Sequence, residues 1–438
     1  MSRSLERFWL LAAIMLTAGF CLIAFGILRD ATDPSWQDTS AFLGHALYLR
    51  DHGGWLGFLR EAFAGTYPIT ERHPLYMLLL QPFAAQEARF FWQAKLLNLA
   101  IGAITLVSFL WMLRRRYGAG VSLIGGALYV LSQSLLIPSS HVSAEPLLIL
   151  CVLWTWWWLT SGASLRHWML GGLWAGLSFL AKPSGTVITA GVVAASLWHS
   201  RGRALRSRSL WAFLAVALLI ASPLLVRNVR RHSSLLYEGV NSHSLWLDHW
   251  KELGNEPSVI SEDRYAIMEI ERDELPTAMS YLKTHTPVRM AKRLLGGLIP
   301  ETRVTLRALA PPALVSSDEV EFLAYIWGAA VVLLGAMGLW RRRTEWEGKL
   351  LRVWAGIFVP LFAWYSRVVL DPRFLAPLVP FVMLGAGLTG WALARRGRSP
   401  LQAVALAAFL VVPVGGLEVL RAARGLRHPR PISRTSSL

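Results

Sequence analysis

Charge is scarce in this sequence. Asp, Glu, Lys and Arg make up 16% of its 438 residues, against roughly 25% in an ordinary soluble domain. With 54% hydrophobic residues, there is too little polar material to coat a water-facing globule, which excludes the soluble class. Cysteine is scarcer still. Cys21 and Cys151 are the only two, both fall inside apolar runs, and no disulfide or metal-thiolate framework can be built from them. The apolar runs lack period-two alternation, which excludes the strands of a membrane barrel. Acids are also few, 27 against 44 Lys and Arg, for a net charge of +17. Such an excess can mark a nucleic-acid binder, so its placement has to decide. Arg114–Arg116, Arg201–Arg208, Arg341–Arg343 and Arg395–Arg398 each lie between apolar runs, as cytoplasmic loops do. The excess is a topology signal, and nucleic acid is not an expected partner.

What the chain does have is long apolar runs, such as Phe8–Leu28, Trp211–Val226 and Phe322–Leu339. As helices, runs of this kind cross a hydrocarbon core of roughly 30 Å. Backbone amides in lipid must be satisfied within the segment, so the expected fold is an all-α polytopic membrane protein. Phe8–Leu28 has the look of a signal-peptide core, but no small-residue cleavage site precedes Asp33, and it is read as the first span. About eleven spans (range ten to twelve) are expected, near 8–28, 90–113, 119–137, 145–160, 168–181, 184–199, 210–226, 322–340, 350–369, 374–394 and 401–419. This divides the chain into an N-terminal membrane module 1–226, an outer region 227–321, C-terminal membrane helices 322–420 and a basic tail 421–438. All four Arg clusters then lie inside, while 29–89 and 227–321 lie outside. Eleven spans would leave Arg421, Arg424, Arg427 and Arg430 on the outside, against the positive-inside tendency.

Within the first outer segment, Trp55, Phe58, Leu59, Ala62 and Phe63 follow helical spacing and suggest a helix lying on the membrane surface. Pro74–Ala84 is too short to span and is expected to dip in or lie at the interface. The second outer segment has a polar stretch, Asp248–Glu274, and then basic helical character over Ala278–Leu295. The twenty-one Trp, Trp156–Trp158 among them, are read as interface belts. Gly171, Gly172 and Gly176 are read as close helix packing.

Several polar residues stand where the apolar pattern does not call for them. Asp38, just past the first span, is either the N-cap of the next helix or a catalytic base; Asp33 is a loop acid before Pro34. Glu71-Arg72-His73-Pro74 sets a carboxylate, a guanidinium and an imidazole at the mouth of a helix, suited to phosphate, to a metal, or simply to head-group anchoring. Glu145, Lys182, Arg227 with Asn228, and Arg373 after Asp371-Pro372 stand at the outer ends of other spans. Snorkelling accounts for any one cation at a span end. It does not account for three gathering on the side that the topology rule disfavours, whereas an anionic head group would.

In their order along the chain, these features resemble the GT-C superfamily of membrane glycosyltransferases, in the branch of the protein O-mannosyltransferases and the lipid A aminoarabinose transferase. The resemblance covers about residues 5–395. It rests on an acid in the first outer loop, Glu71-Arg72-His73-Pro74-Leu75-Tyr76, Ser143-Ala144-Glu145-Pro146-Leu147, Ala181-Lys182-Pro183-Ser184-Gly185, Pro223–Asn228, and Arg373-Phe374 followed by Pro377 and Pro380. Tyr281–Arg293, with Thr286-Pro287 inside it, adds to it. The resemblance implies transfer of a sugar from a polyprenyl-phosphate donor to a hydroxyl on a lipid, glycan or protein, by an inverting route, at the outer face of a bacterial inner membrane. It implies Asp38 as base, Arg72 as a cation on the donor phosphate, and Arg373 and Lys182 as further donor contacts. Arg227, read from its place at a span end, joins them as a phosphate contact, with Asp33, Glu71, His73, Glu145 and Asn228 in support. Relatives often have Asp-Glu in this loop, whereas Thr39 follows Asp38 here; Glu71 stands as the substitute carboxylate, and a divalent metal is left open. Two other classes fit the same topology: a transporter or flippase of lipid-linked glycans, and a glycan ligase or polymerase with a lipid-diphosphate donor.

Overall fold

The computed structural model describes residues 3–33, 38–237, 240–249, 276–315 and 321–396. The expected span 401–419 and the basic tail lie outside these residues, as does most of the polar stretch 248–274. Among the described residues there are helices and no strands. The chain opens with α1 (Arg3–Asp30), and three helices follow in the first expected loop, α2 (Thr39–Asp51), α3 (Gly54–Ala64) and α4 (Pro74–Leu80). A bundle of α5 (Ala88–Tyr117), α6 (Ala119–Leu131), α7 (Gln133–Ser140), α8 (Glu145–Ser161), α9 (Leu165–Ala181), α10 (Gly185–Ser200) and α11 (Arg208–His232) comes next. Four helices occupy the second loop region: α12 (Val240–Ser244), α13 (Ala278–Thr284), α14 (Pro287–Ala308) and α15 (Pro312–Val315). The last membrane helices are α16 (Glu321–Trp340), α17 (Trp346–Tyr365) and, after a 3-10 turn at Pro372–Leu378, α18 (Val379–Arg396).

Five helices are long and apolar enough to cross a membrane, Arg7–Asp30, Ala88–Tyr117, Arg208–His232, Glu321–Trp340 and Pro372–Arg395. The α6–α7 pair, bent by 60° at Ser132, counts as a sixth if taken as one span. The chain is thus an integral membrane protein. The other bundle helices are cut short by sequence punctuation. Lys182 adopts an extended backbone before Pro183 and so ends α9, and Pro146 sits in the first turn of α8, where a missing N–H costs nothing.

Two ends of the bundle differ in chemistry. At one, Arg116 and Arg342 pair with the buried Glu347 at 3.3 and 2.8 Å, and Tyr117 donates to the same carboxylate. Trp346 Nε1 donates to Leu159 O at 2.9 Å, which ties the start of α17 to the end of α8. Each Arg cluster that the structure describes lies at or beside a helix terminus of this end. The opposite end gathers the ends of α1, α9 and α17 and the starts of α5 and α8. There Lys95 Nζ of α5 donates to Leu28 O and Ala31 O at 2.9 and 2.7 Å. It thus satisfies carbonyls that α1 leaves open at its terminus.

Close helix approach is set by glycine, as the sequence indicates. A Cβ at Gly172 would stand 2.3 Å from Phe213 O of α11, and one at Gly176 would stand 2.8 Å from Ala217 O. Some tryptophans depart from the belt expectation, while Trp55, Trp92, Trp111, Trp198, Trp211 and Trp340 are exposed. Trp156 and Trp354 are fully enclosed and Trp157 is nearly so, and Trp354 Nε1 has a carbonyl partner, Ile188 O, at 3.1 Å. These large rings fill the bundle centre beside Phe358 and Phe381, where their area is worth more than at an interface. The α4 segment, expected to dip in or lie at the interface, is enclosed on nearly every side of Pro74–Leu80, packed on α2 and α9.

Gly172→Ala is expected to lower detergent-solubilised stability by roughly 1–3 kcal/mol through forced separation of α9 and α11. Gly356→Ala, where nothing lies within 4 Å of the new Cβ, is expected to be neutral or slightly stabilising. Thermal melts of the two variants check the contrast.

Candidate active site

Asp38 stands at the N-cap position of α2, but its side chain makes no cap hydrogen bond. Its carboxylate is turned away from the helix and shared between two arginines that are far apart in sequence. Arg72 Nη2 donates to Oδ1 at 2.6 Å, and Arg373 Nη1 lies 3.2 Å from Oδ2. This geometry removes the plain capping reading, since the oxygens that would cap are engaged elsewhere.

Each partner is held by a local device. Arg72 lies in the bend before Pro74, and its second nitrogen donates to Glu71 O at 3.1 Å. Arg373 opens the 3-10 turn, whose N-cap Asp371 accepts from the Arg373 backbone N–H at 3.0 Å. The same Asp371 takes the Arg373 guanidinium at 2.9 Å. Arg373 also faces Glu145 at 3.7 Å. Glu145 is fully buried at the start of α8, where it accepts from Lys182 and from Ser143 Oγ. The turn that delivers Glu145 is braced by Asn98, whose Nδ2 shares its two hydrogens among Pro138 O, His141 O and Ser143 O at 3.1, 2.5 and 2.8 Å. Tyr76 OH accepts the Ser143 N–H at 3.2 Å. Beneath Lys182 and Arg373 lies the Phe374 ring, 5.7 Å from each charge, within reach of a cation–π attraction.

Six ionised groups thus converge: Asp38, Glu145 and Asp371 against Arg72, Lys182 and Arg373. Burial pushes the Asp38 carboxyl up, but Arg72, Arg373 and Lys182 together outweigh it and hold it below the ordinary carboxylate value. Asp371 goes the other way, because burial outweighs its Arg373 partner. On α2, burial and the Arg72 charge push the His45 imidazole down to about 4, so it is neutral at pH 7.

Other residues singled out in the sequence fall elsewhere. Arg227 is enclosed with its guanidinium 5.9 Å over the Tyr67 ring, and Asn228 Nδ2 donates to Leu235 O at 3.0 Å. The cationic field at Asp38 comes from Arg72, Arg373 and Lys182. His73 is buried and its Nδ1 meets Phe179 O, so it braces α4 against α9. Asp33 is exposed, and Glu71 offers its backbone carbonyl to Arg72. Among the described residues no group of three or more His, Cys, Asp or Glu side chains is arranged to hold a metal. Asp371 and His45 are members of the site that the sequence reading passed over. Asp371-Pro372 carried a signal, an acid placed to cap a Pro-started turn; His45 carried none.

Asp38 keeps its charge to lower pH than a free carboxyl, so the stability from its ion pairs is full above about pH 4 and is lost as pH falls below that. The melting-temperature gap between wild type and Asp38→Asn should stay flat from pH 8 to 5 and close only in stronger acid. Glu145→Ala strips a buried anion from Lys182 and is expected to cost roughly 3 kcal/mol, read as a lower melting temperature.

The chain matches the dolichyl-phosphate-mannose-protein mannosyltransferase family over residues 72–226. No curated protein matches it. Among solved structures it is similar to ArnT from Cupriavidus metallidurans bound to undecaprenyl phosphate, at 14% identity and a TM-score of 0.53, over 92% of this chain and 63% of that one. This chain thus spans less than two thirds of that ArnT. The apo state of the same ArnT aligns at 14% identity over 87% of this chain and 78% of that one, with a TM-score of 0.41. The first of these carries the likeness of fold. The stretch that matches the dolichyl-phosphate-mannose-protein mannosyltransferase family holds Arg72, Glu145 and Lys182, and the chain around it shares the ArnT fold.

Proposed function

We propose that this chain is a membrane glycosyltransferase that moves a sugar from a polyprenyl-phosphate donor to an acceptor hydroxyl. The observation that carries the reading is the Asp38 carboxylate held between Arg72 and Arg373. Transfer from a lipid phosphate asks for a proton acceptor beside the nucleophile and fixed positive charge beside the leaving group, and these three side chains supply both within one cluster. Asp38 takes the proton of the acceptor hydroxyl as its oxygen attacks the anomeric carbon from the face opposite the phosphate. The bond from that carbon to the phosphate oxygen breaks, the configuration inverts, and the phosphate leaves as an anion onto Arg72, Arg373 and Lys182.

The pairing of Asp38 with two arginines also sets the order of events. With both guanidinium groups on its oxygens, Asp38 is a weak base. A phosphate that draws Arg72 and Arg373 toward itself takes positive charge away from Asp38 and raises its basicity. Donor binding therefore switches on the base. The neutral His45 imidazole beside Arg72 is available to hydrogen-bond without adding charge.

Orientation follows from the two ends of the bundle. The Arg-rich end, with Arg116 and Arg342, is assigned to the cytoplasm by the positive-inside rule, so the Asp38 cluster faces outward in a bacterial inner membrane. The undecaprenyl phosphate bound to the ArnT of similar fold supports a polyprenyl-phosphate donor.

Asp38→Asn is expected to reduce transfer by at least about a hundredfold while the chain still folds and binds undecaprenyl phosphate. Arg373→Ala is expected to weaken that binding. Mass spectrometry of outer glycolipids and glycans, in cells carrying wild type, Asp38→Asn or no protein, would reveal the transferred sugar. An Asp38→Asn strain with the wild-type glycan pattern refutes the base assignment.

A further inference from the structure

The middle of α14 carries a carboxylic acid that nothing in the reaction scheme uses. Glu301 is 1% exposed, and neither carboxylate oxygen has a hydrogen-bond partner among the described residues. A buried acid in that state is costly when charged, and the structure keeps it at a specific place. One turn before it, a Cβ at Gly297 would stand 1.8 Å from Ala363 O of α17, and Ser366 Oγ donates to Gly297 O at 3.0 Å. This close contact fixes α14 against the end of α17 and the 3-10 turn, so that Glu301 sits within the field of Asp371.

Asp371 is the carboxylate behind Arg373. The site cluster balances three acids with three cations, Asp38, Glu145 and Asp371 with Arg72, Lys182 and Arg373. An entering phosphate has to compete with those acids for Arg373, and a fourth ionised carboxylate would tip the cluster to net negative and repel it. We propose that Glu301 is a positioning residue for the phosphate subsite that acts through Asp371, the acid of the 3-10 turn on which α14 packs: by staying uncharged it adds no fourth negative charge to the cluster, and Arg373 can turn to the phosphate. This rests on the reading of the Asp38 cluster as a phosphate site.

The other charged groups around α14 are already engaged or lie off this contact. On α16, Glu321 takes Arg307 at 3.0 Å and Tyr325 OH accepts from Arg303 at 3.2 Å. From the end of α17, Arg367 packs at Gly296 and Tyr365 is directed to Ser244. The 3-10 turn contributes Asp371 and Arg373, and α7 has no ionisable side chain. Asp371 is thus the charged group that acts on Glu301. Asp371 has Arg373 and a backbone N–H to stabilise its charge, so it keeps the charge and Glu301 keeps the proton. Burial and then Asp371 push Glu301 up to about 7. Its ionisation therefore falls in the neutral range, and the phosphate subsite loses affinity as pH rises through it. By the same linkage, phosphate binding draws a proton onto Glu301.

The test is binding of undecaprenyl phosphate to the full chain in detergent, at pH 5.5 and pH 8.5, for wild type, Glu301→Gln, Asp371→Asn and Arg373→Ala. Glu301→Gln cannot ionise and shares the ligand's own titration with wild type. It should bind about three- to tenfold more tightly than wild type at pH 8.5 and equally at pH 5.5. In the Asp371→Asn background the same change should have a smaller effect, which a merely structural role would not produce. Thermal melts report folding; Glu301→Gln should melt above wild type at pH 8.5, since a buried charge is removed. Equal affinities of wild type and Glu301→Gln at pH 8.5, or weaker binding of the variant at both pH values, overturn the proposal. Wild type that fails to bind, or Arg373→Ala that binds as well as wild type, overturns instead the phosphate reading of the cluster, and the role of Glu301 with it.

Discussion

The carboxylate of Asp38, divided between Arg72 and Arg373, ties together the three parts of the chain on which everything else depends. Asp38 arrives with α2, Arg72 with the bend before α4, and Arg373 with the 3-10 turn before α18. Held apart, these would be three polar groups near an apolar bundle, each with a desolvation cost. Held together, they form a site with fixed charge of both signs. The packing below serves that convergence: α4 is enclosed between α2 and α9, His73 locks its start to Phe179 O, and Phe374 stacks on Phe362 with ring centroids 5.0 Å apart, which sets the face from which Arg373 projects.

The near balance of charge has an energetic reason. Partly buried ions are expensive unless they are paired and hydrogen-bonded, and a site that waits for an anionic ligand must satisfy its cations in the meantime. Glu145 and Asp371 do so from behind, and Asp38 from the front. The front partner is the more exposed; its side chain is 27% exposed against 2% for Glu145. On the proposed function, an arriving phosphate would displace Asp38 most easily, and Asp38 is the group whose release would have a chemical use.

Much of this was legible in the sequence because it depends on local or periodic signals. Apolar runs set the helices to within a few residues, as at 90–113 for Ala88–Tyr117 and 322–340 for Glu321–Trp340. The glycines of α9 announced its close packing. The gathering of Asp38, Arg72, Lys182, Glu145 and Arg373 could be anticipated because topology alone sends them to one end. Topology fixes the end of the bundle but not the side of the helix: Arg227 stands over the Tyr67 ring. The break between α6 and α7 and the enclosure of Trp156 and Trp354 depend on tertiary packing that hydropathy cannot resolve. His45 and Glu301 were hidden because a lone ionisable residue in a helix gains meaning only from its neighbours in space.

The central claim is that the anionic head group of the donor replaces Asp38 on the two arginines. An experimental structure of the full chain in lipid nanodiscs with undecaprenyl phosphate bound tests it most directly. The account predicts phosphate oxygens within hydrogen-bond distance of Arg72 and Arg373, with the 2.6 Å Arg72–Asp38 contact lengthened and the Asp38 carboxylate open toward the acceptor side. A head group bound elsewhere, with Asp38 still clasped by both guanidinium groups, would contradict it.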